Sequence, residues 1–347
     1  MSDMLKSARE PARIKVIGVG GGGCNTVRRM MQHKAVPGVE YIVVNTDIKS
    51  LESLSGTTAL SIQIGEHLTR GFGAGGNAKV GEQAAEEGRY LLKRSAKDAE
   101  LVFITVGMGG GTGTGAAPVV AQIARESGAL IIAVVTTPFS FEGRRRFDVA
   151  LGGLRRFKEE VHNMIVVHND RLLQFANHDA PVGKAFAMAD EVVTEGILSV
   201  SQLVNVPGEI NVDLADVKVV MGIPGIALMA MGRGDGQHKV IEAAEQAISN
   251  PLLDINMAGA KGVLLNFSGG PDLTLGEVNE AATLVARQAD PNAIIFFGMN
   301  GASEELEDQT KLTVIATGIK SDNNNHWFSE MGQGVKGLVT GHKSSIW

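Results

Sequence analysis

Cysteine, aromatic residues and long apolar runs are scarce in this sequence. Its 347 residues include one cysteine, Cys24, and only 5% aromatic residues. A single cysteine excludes an internal disulfide, and no apolar run approaches the roughly 20 residues that a membrane-spanning helix needs. Residues 1–13 lack the apolar core of a signal peptide. We therefore expect a cytoplasmic protein that does not insert directly into a membrane.

Basic residues are not in excess either. The formal net charge is -6, which offers no electrostatic footprint for nucleic acid. The pattern G-x-x-x-x-G-K-[ST] is absent, and this excludes a P-loop enzyme. Any bound phosphate chain must then be neutralised by backbone amides, helix ends and a metal ion.

Glycine is abundant, with 44 residues, and the densest run is GMGGGTGTG at residues 107–115. It lies between an apolar segment at 101–106, predicted to be a strand, and a predicted helix at 116–127. Glycine loses the most backbone entropy on ordering, so such a loop is favoured where the backbone approaches a ligand closely. Amide groups at a helix N-terminus bind phosphate, and Thr112 and Thr114 can add hydroxyl donors. A tight turn without a ligand is the simpler alternative, but the glycine density favours phosphate binding.

Two further glycine clusters lie at residues 18–23 and 71–76. The first follows a predicted strand at 13–19, precedes a predicted helix at 25–33, and contains G-x-G-x-x-G at Gly18, Gly20 and Gly23. With Asp47 at the end of a strand at 41–47, it also fits a dinucleotide site, in which Asp47 would bind a ribose. The alternative for Asp47 is a turn residue. Three glycine loops instead suit a nucleotide with a longer phosphate chain.

Sugar and base contacts are predicted further along the chain. After a predicted strand at 130–136, Glu142 can accept from ribose hydroxyls and Arg146 can bind sugar or phosphate, or both can belong to a solvated loop. A further strand is predicted at 164–167. In a predicted helix at 182–204, Phe186 and Asp190 share a face. Phe186 can stack on a base, and Asp190 can accept from two N–H groups of guanine. We interpret His168 as structural.

An acidic segment follows this helix. Residues 207–217 are predicted to form a loop in which Asp213 and Asp216 are spaced as on one helical turn, preceded by Asn211. N-capping accounts for one acid but not for both. Beyond it, strands at 227–231, 262–267, 293–297 and 312–317 with helices at 239–249 and 275–288 predict a smaller α+β domain.

Taken together, these motifs resemble the FtsZ family of bacterial cell-division GTPases, in the tubulin superfamily, over residues 13–319. The runs GGGTGTG (109–115), FEGRRR (141–146), NVDLADV (211–217) and residues 18–25 carry the resemblance. It implies an α/β fold: a Rossmann-like parallel-sheet GTP-binding domain (13–181), a long central helix (182–206) and a C-terminal α+β domain (207–319). A polar leader (1–12) and a short tail (320–347), expected to be mobile, flank them.

The resemblance also implies the site. It predicts GTP or GDP binding, with Mg²⁺ held mainly through phosphates and no assigned protein ligand. Asn211, Asp213 and Asp216 are expected to act on the nucleotide of the neighbouring subunit. Glu142 and Arg146 are predicted to lie near the ribose, and Asn169, Phe186 and Asp190 at guanine. The other predicted nucleotide-binding residues are Gly21, Gly22, Gly23, Cys24, Asn25, Ala74, Gly75, Gly107, Gly109, Gly110, Gly111, Thr112, Gly113 and Thr114.

The implied function is a GTPase that polymerises head to tail into filaments at the mid-cell division site. A GTP-holding structural or regulatory paralogue with little turnover, and an NAD-dependent enzyme, are the alternatives. The tail lacks a recognisable partner-binding peptide, so division-protein partners are not assigned. Glu209 places a charge beside the acidic segment, where related sequences tend to be apolar, and is expected to alter the subunit contact.

Overall fold

The computed structural model describes residues 11–32, 36–172, 181–249, 257–300, 306 and 308–319. The strands are β1 (Ile14–Val19), β2 (Val39–Asn45), β3 (Leu60–Gln63), β4 (Leu101–Gly107), β5 (Leu130–Thr137), β6 (Asn163–His168), β7 (Gly208–Ile210), β8 (Ile226–Asp235), β9 (Gly262–Gly269), β10 (Ile294–Asn300) and β11 (Gln309–Ile319). The helices are α1 (Gly20–Gln32), α2 (Ile48–Glu52), α3 (Glu66–Thr69), α4 (Ala78–Glu87), α5 (Arg89–Ala96), α6 (Thr112–Glu126), α7 (Arg144–Glu160), α8 (Asn169–Leu172), α9 (Val182–Asn205), α10 (Leu214–Met221), α11 (Lys239–Ile248) and α12 (Leu275–Ala286). Two short 3-10 helices lie at Ser140–Glu142 and Gly236–His238.

The first six strands form a parallel sheet. Their order is β3-β2-β1-β4-β5-β6, and every pair within it is parallel. Strands β1 and β4 are buried along almost their whole length because helices cover both faces, which accounts for their continuous apolar sequences. This is the strand order of a doubly wound nucleotide-binding fold.

The remaining strands form a mixed sheet that extends the first one. Its order is β8-β11-β9-β10-β7, with β9 and β10 parallel and the other neighbours antiparallel. A single residue pair, Ile165 with Ala227, joins β6 to β8. The predicted fold class, a parallel-sheet domain followed by a long helix and a smaller α+β domain, is confirmed.

Three apolar cores hold these layers together. One lies between the parallel sheet and α4 to α7, and one lies between the mixed sheet and helices α11 and α12. The third joins the two sheets, because Val193 and Ile197 of α9 pack in one cluster with Val16 of β1 and Leu264 of β9. The long central helix therefore lies in a core that the two sheets share.

Several predicted boundaries were wrong near the glycine loops. Helix α1 starts at Gly20 rather than residue 25, and α6 starts at Thr112 rather than residue 116. The low helix propensity of glycine made both first turns look like loop. Residues 208–210, predicted to be loop, form the short strand β7, and Arg144 begins α7.

Some expectations lie outside the described residues. The tail at 320–347, almost all of the leader at 1–12, and the predicted helix end at residue 33 belong to this group. Within the described ranges, no helix combines the length and apolarity needed to cross a bilayer.

Candidate functional site

A cleft of about 540 Å³ opens at the carboxyl ends of the parallel strands. Segments that follow β3, β4 and β5 line it, at the edge at which doubly wound sheets bind ligands. The lining residues come from three loops and the first turns of α6 and α7: Ala74, Gly75, Gly76, Gly109, Gly110, Gly111, Thr112, Glu142, Arg145, Arg146 and Val149.

Close backbone contacts bring these loops together around residues 109–113. A Cβ added to Gly20 would lie 2.6 Å from Gly113 N, and one on Gly111 would lie 2.8 Å from Asn77 N. A Cβ on Gly109, which has φ +94°, would lie 2.7 Å from Arg146 O. No side chain fits at these distances, so glycine is required where each neighbouring loop contacts the central one.

A second group of glycines has open space around it. A Cβ on Gly21, Gly75, Gly76 or Gly110 would meet no atom within 4 Å, and three of these residues line the cleft. Backbone at these positions is accessible to a ligand. Since α1 and α6 both begin here, their unpaired amide groups and positive dipole ends favour an anion.

The two threonines of the central loop have different positions. Thr112 lines the cleft, and its Oγ1 lies 2.6 Å from Thr46 Oγ1. Thr114 is fully buried and its Oγ1 accepts a hydrogen bond from Gly109 N at 2.9 Å. Of the two threonines whose hydroxyls we expected to bind phosphate, only Thr112 lines the cleft, and Thr114 holds the loop through its bond to Gly109 N.

Charged side chains lie on the opposite wall. Glu142 is largely buried, and its carboxylate accepts from Phe139 N and pairs with Arg146 at 2.6 Å. Arg145 also lines the cleft. Glu142 is the one carboxylate among the lining residues of the described chain, and it is already held by a cation and an amide.

The predicted base contacts adjoin the cleft without lining it. Asp190 Oδ2 forms an ion pair with Arg29 Nε, and Asp190 Oδ1 lies 3.1 Å from the Thr26 hydroxyl. That hydroxyl also lies 3.2 Å from the backbone oxygen of Gly22. Burial raises the pKa of Asp190, and the hydrogen bonds from Arg29 and Thr26 oppose this rise. Asp190 is therefore tied to the first turns of α1.

An unsatisfied acceptor lies at the start of α8. Asn169 is buried, and its Oδ1 has no hydrogen-bond partner among the described residues. Buried amide oxygens are almost always paired, and the Oδ1 atoms of Asn163 and Asn266 are unpaired in the same way. Because the oxygen is buried, a ligand donor reaches it only if its surroundings move.

Three phenylalanines connect the base end to the cleft wall. Phe139 is buried, stacks on Phe141 at 5.0 Å between ring centroids, and meets Phe186 edge-on at 4.9 Å. Phe141 and Phe186 remain partly exposed. Phe186 is roughly perpendicular to both other rings, and the three form an apolar cluster beside the segment that holds Glu142.

Cys24 has a buried side chain. Its thiol lies in the core that contains α1 and α9, and burial raises its pKa to about 12. Only its backbone can take part in the nucleotide contact predicted for it.

The three predicted catalytic residues are not in the cleft. Asn211 bonds Gly208 through both its amide atoms. Asp213 accepts from Ala215 N and Asp216 N, while Asp216 accepts from Asp213 N. The view that capping accounts for only one acid was wrong, because the two carboxylates form a reciprocal capping box at the start of α10.

The position of this capping box separates it from the cleft. It follows β7, which is the edge strand of the sheet at the end opposite to β3, whereas the cleft is lined by segments that follow β3, β4 and β5. Within one chain, the acids and the glycine loops are therefore on different parts of the molecule.

Two other residues have structural roles. Asp47 caps α2 by accepting from Lys49 N and from Ser50 Oγ, which is the turn role that we weighed against ribose binding. His168 Nδ1 lies 3.3 Å from Thr137 Oγ1, between neighbouring strands. The dinucleotide interpretation thus loses its acidic residue.

Sequence reasoning missed some residues at the site. Gly76, Arg145 and Val149 line the cleft, and Phe141 stacks beside it. Gly76 lay in a recognised glycine cluster, and Arg145 and Phe141 lay in a recognised motif. Val149 gave no signal, because it looks like any apolar residue of a helix.

Comparison with known proteins gives two consistent findings. The model described as Tubulin/FtsZ family, GTPase domain, matches residues 13–177, and that described as FtsZ family, C-terminal domain, matches residues 225–320. Among solved structures, an FtsZ dimer from M. jannaschii is 41% identical, with a TM-score of 0.84 and 89% of each chain covered. CetZ2 from Haloferax volcanii, as a protofilament with GTPγS, is 19% identical with a TM-score of 0.77, covering 94% of this chain and 99% of that one. The latter likeness shows the fold alone.

The open glycines give a direct test of the cleft. We expect Gly110→Ala to fold normally, because its Cβ meets nothing within 4 Å, and to lower GTP affinity about tenfold or more by occupying ligand space. Gly152→Ala, at an exposed and equally open position in α7, is the control and should bind GTP like the wild type. Equilibrium dialysis with labelled GTP measures both. Equal affinity for the two variants would show that the ligand does not approach Gly110.

Proposed function

Because the chain belongs to the FtsZ family of tubulin-type GTPases, we propose that its cleft binds and hydrolyses GTP in a site completed by a second subunit. The acids of one subunit dock over the nucleotide of the next. Residues 13–181 form the GTP-binding domain, residues 182–206 the connecting helix, and residues 207–319 the domain that supplies the acids.

The separation between cleft and acids is the observation that carries this proposal. The cleft wall offers amides and arginines for phosphate, and its carboxylate, Glu142, is engaged by Arg146 and Phe139 N. Glu142 is the one acid among the described lining residues, so the cleft by itself offers no uncommitted carboxylate to orient a water molecule. Asp213 and Asp216 provide such acceptors, but at the far edge of the sheet. A neighbouring subunit brings the two parts together.

The chemistry follows from positioned charge. Phosphoryl transfer needs an in-line water and stabilisation of charge on the phosphate rather than a covalent intermediate. The capping box fixes the orientation of Asp213 and Asp216 before docking, so they orient or deprotonate water with little reorganisation. Asn211 lies beside them and supplies a further polar contact. Amides of residues 109–113 and Arg146 hold the phosphates and ribose.

Guanine is read at the other end of the cleft. Asp190 accepts from guanine N1–H and N2–H, Phe186 stacks on the ring, and the Asn169 amide takes a further hydrogen bond. The unsatisfied Oδ1 of Asn169 supports this assignment once its surroundings move to admit the base. Adenine would present a lone pair at N1 to the Asp190 carboxylate and be rejected.

Mg²⁺ fits this site through the substrate. The described residues contain no cluster of three or more histidine, cysteine or acidic side chains suited to a metal ion, and the cleft wall is rich in donors. A bound Mg²⁺ would be held mainly by the phosphate oxygens of the substrate, and it would supply charge neutralisation there.

Assembly is head to tail and open-ended. When the two contacting faces of a subunit differ, repeated association builds an open filament, unless the rotation between subunits closes the assembly into a ring. Self-association is supported by the M. jannaschii relative, an FtsZ dimer. We place the filament in the cytoplasm at the division site. Glu209, exposed on β7, adds a charge to the docking face.

A GTP-holding regulator with little turnover is the alternative. Phosphate release measured over a range of protein concentrations separates the two. A shared site gives a specific activity that falls on dilution, and a regulator gives little release at any concentration.

The capping role of Asp213 determines which substitution tests catalysis. Asn caps a helix as well as Asp does, whereas Ala costs about 1 kcal/mol of helix stability. We expect Asp213→Asn to keep wild-type stability and GTP affinity and to lose most phosphate release. Asp213→Ala should lose release and also unfold at lower denaturant. An Asp213→Asn protein that releases phosphate at the normal rate would contradict the catalytic role.

Base selection has its own test. Xanthine carries a carbonyl at C2 where guanine carries an amine, so an amide at position 190 complements it better than a carboxylate does. We expect Asp190→Asn to prefer xanthosine triphosphate over GTP, and the wild type to show the reverse order, in competition binding assays. An unchanged preference for GTP would place the base elsewhere.

A further inference from the structure

Two side chains hold helix α10 at the end away from its acids; we call them the α10 clamp and define it as Asn163 and Thr317. Asn163 Nδ2 donates to Met221 O and also to Ile223 O, the latter at 3.3 Å. Thr317 Oγ1 donates to Val220 O at 2.7 Å. All three carbonyls lie in the last turn of α10 or just after it, a region in which helix carbonyls lack intrahelical partners.

The two members of the clamp come from different sheets. Asn163 begins β6 of the parallel sheet, and Thr317 lies in β11 of the mixed sheet. Both are buried, with 2% and 0% of their surface exposed. Backbone pairing between β6 and β8, where the two sheets meet, is limited to one residue pair within the described strands. Asn163 therefore adds a link from the GTP-binding domain to α10 at a place where few backbone bonds cross.

Apolar packing does not by itself fix the direction of α10. Its buried residues, Leu214, Val217, Val220 and Met221, pack in the core that the two sheets share. This contact is non-directional, so it keeps the helix close to the sheets and leaves its tilt and rotation less restricted. Hydrogen bonds are directional, and the clamp therefore restricts both.

The capping box of Asp213 and Asp216 lies at the opposite end of the same helix. Because α10 has eight residues, its two ends are about 12 Å apart, and a tilt of about 10° at one end moves the other by about 2 Å. A displacement of about 1 Å at a reacting centre can cost about 100-fold in rate. The direction of the acids therefore depends on the bonds at the far end of the helix.

We propose that Asn163 and Thr317 are positioning residues for GTP hydrolysis, which hold α10 so that Asp213 and Asp216 meet the nucleotide of the next subunit. This role rests on the shared site described above and adds what aims the acids. Neither clamp residue lines the cleft. The clamp thus serves the acids that a subunit donates, and not the pocket in which the same subunit binds GTP.

Removing a donor tests the clamp. We expect Asn163→Ala to keep GTP affinity in equilibrium dialysis, to enter filaments with wild-type subunits, and to release phosphate about tenfold or more slowly at saturating GTP, because its acids lose their alignment. Its unfolding midpoint in denaturant should also fall, since buried carbonyls lose their donor.

Asn266→Ala is the matched control. Asn266 is buried like Asn163, its Oδ1 is also unpaired among the described residues, and its Nδ2 donates to Ser199 O of α9 instead of to α10. This variant should lose stability in the same way and keep the normal rate of phosphate release.

Mixed filaments separate a positioning role from general damage, at a GTP concentration above the Kd of the wild-type pocket and well below that of Gly110→Ala. Asn163→Ala subunits keep the pocket and Gly110→Ala subunits keep aligned acids, so their equal mixture should reach about a quarter of the wild-type rate. Asn163→Ala mixed with Asp213→Asn should stay at the mean of its components, because neither protein supplies aligned acids. General damage would not produce this asymmetry.

Thr317→Val tests the other member of the clamp, because valine keeps the shape of threonine and removes the hydroxyl donor. We expect the same pattern in mixtures with a smaller loss of rate, since only one of the three bonds is removed. Should circular dichroism show that Asn163→Ala does not fold, Thr317→Val decides the matter, and a normal rate of phosphate release from it would then overturn the clamp.

Each contrary result has its own meaning. A normal rate from a folded Asn163→Ala, its exclusion from filaments, or an equal loss of rate in Asn266→Ala would overturn the clamp and leave the shared site standing. Restoration by Asp213→Asn but not by Gly110→Ala would place the defect in the pocket and also overturn the clamp. A mixture of Gly110→Ala and Asp213→Asn that stays inactive, while both enter filaments, would overturn the shared site and the clamp together.

Discussion

Backbone packed directly against backbone determines the architecture of the cleft. Gly20 meets Gly113, Gly111 meets Asn77 and Gly109 meets Arg146 at distances that exclude a Cβ. Three segments from separate strands can therefore converge on residues 109–113, and the starts of α1 and α6 present amides at one point. The glycines left open, such as Gly110, are then available to a phosphate chain. The conformational entropy that glycine loses on ordering is offset because most of the loop is held by these contacts.

The capping box of α10 combines a structural role with a chemical one. Asp213 and Asp216 satisfy backbone donors at the helix start, and these bonds also hold two carboxylates in a defined geometry. A helix terminus is thus well suited to present acids to a neighbouring subunit, since their orientation does not depend on the substrate.

Sequence patterns predicted the parallel sheet, the long helix α9 and the glycine loops, because continuous apolar runs and glycine clusters are compatible with few alternative structures. They did not predict that α1 and α6 start inside the glycine clusters, since helix propensity ignores the tertiary contacts that make Gly23 and Gly115 necessary. Short or exposed elements such as β3 and β7 carry too little apolar pattern to be recognised. The reciprocal bonding of Asp213 and Asp216 was missed because spacing gives proximity but not hydrogen-bond direction. The buried, unsatisfied Asn169 Oδ1 is visible only in three dimensions.

Complementation between two inactive variants tests the shared site most directly. Gly110→Ala subunits retain the acids and Asp213→Asn subunits retain the pocket, so each protein alone should be nearly inactive at a GTP concentration well below the Kd of the Gly110→Ala pocket. In a random filament made from equal amounts, about a quarter of the contacts combine an intact pocket with intact acids. The account predicts phosphate release near that fraction of the wild-type rate in the mixture. A mixture as inactive as its two components, under conditions where both proteins enter filaments, would contradict it.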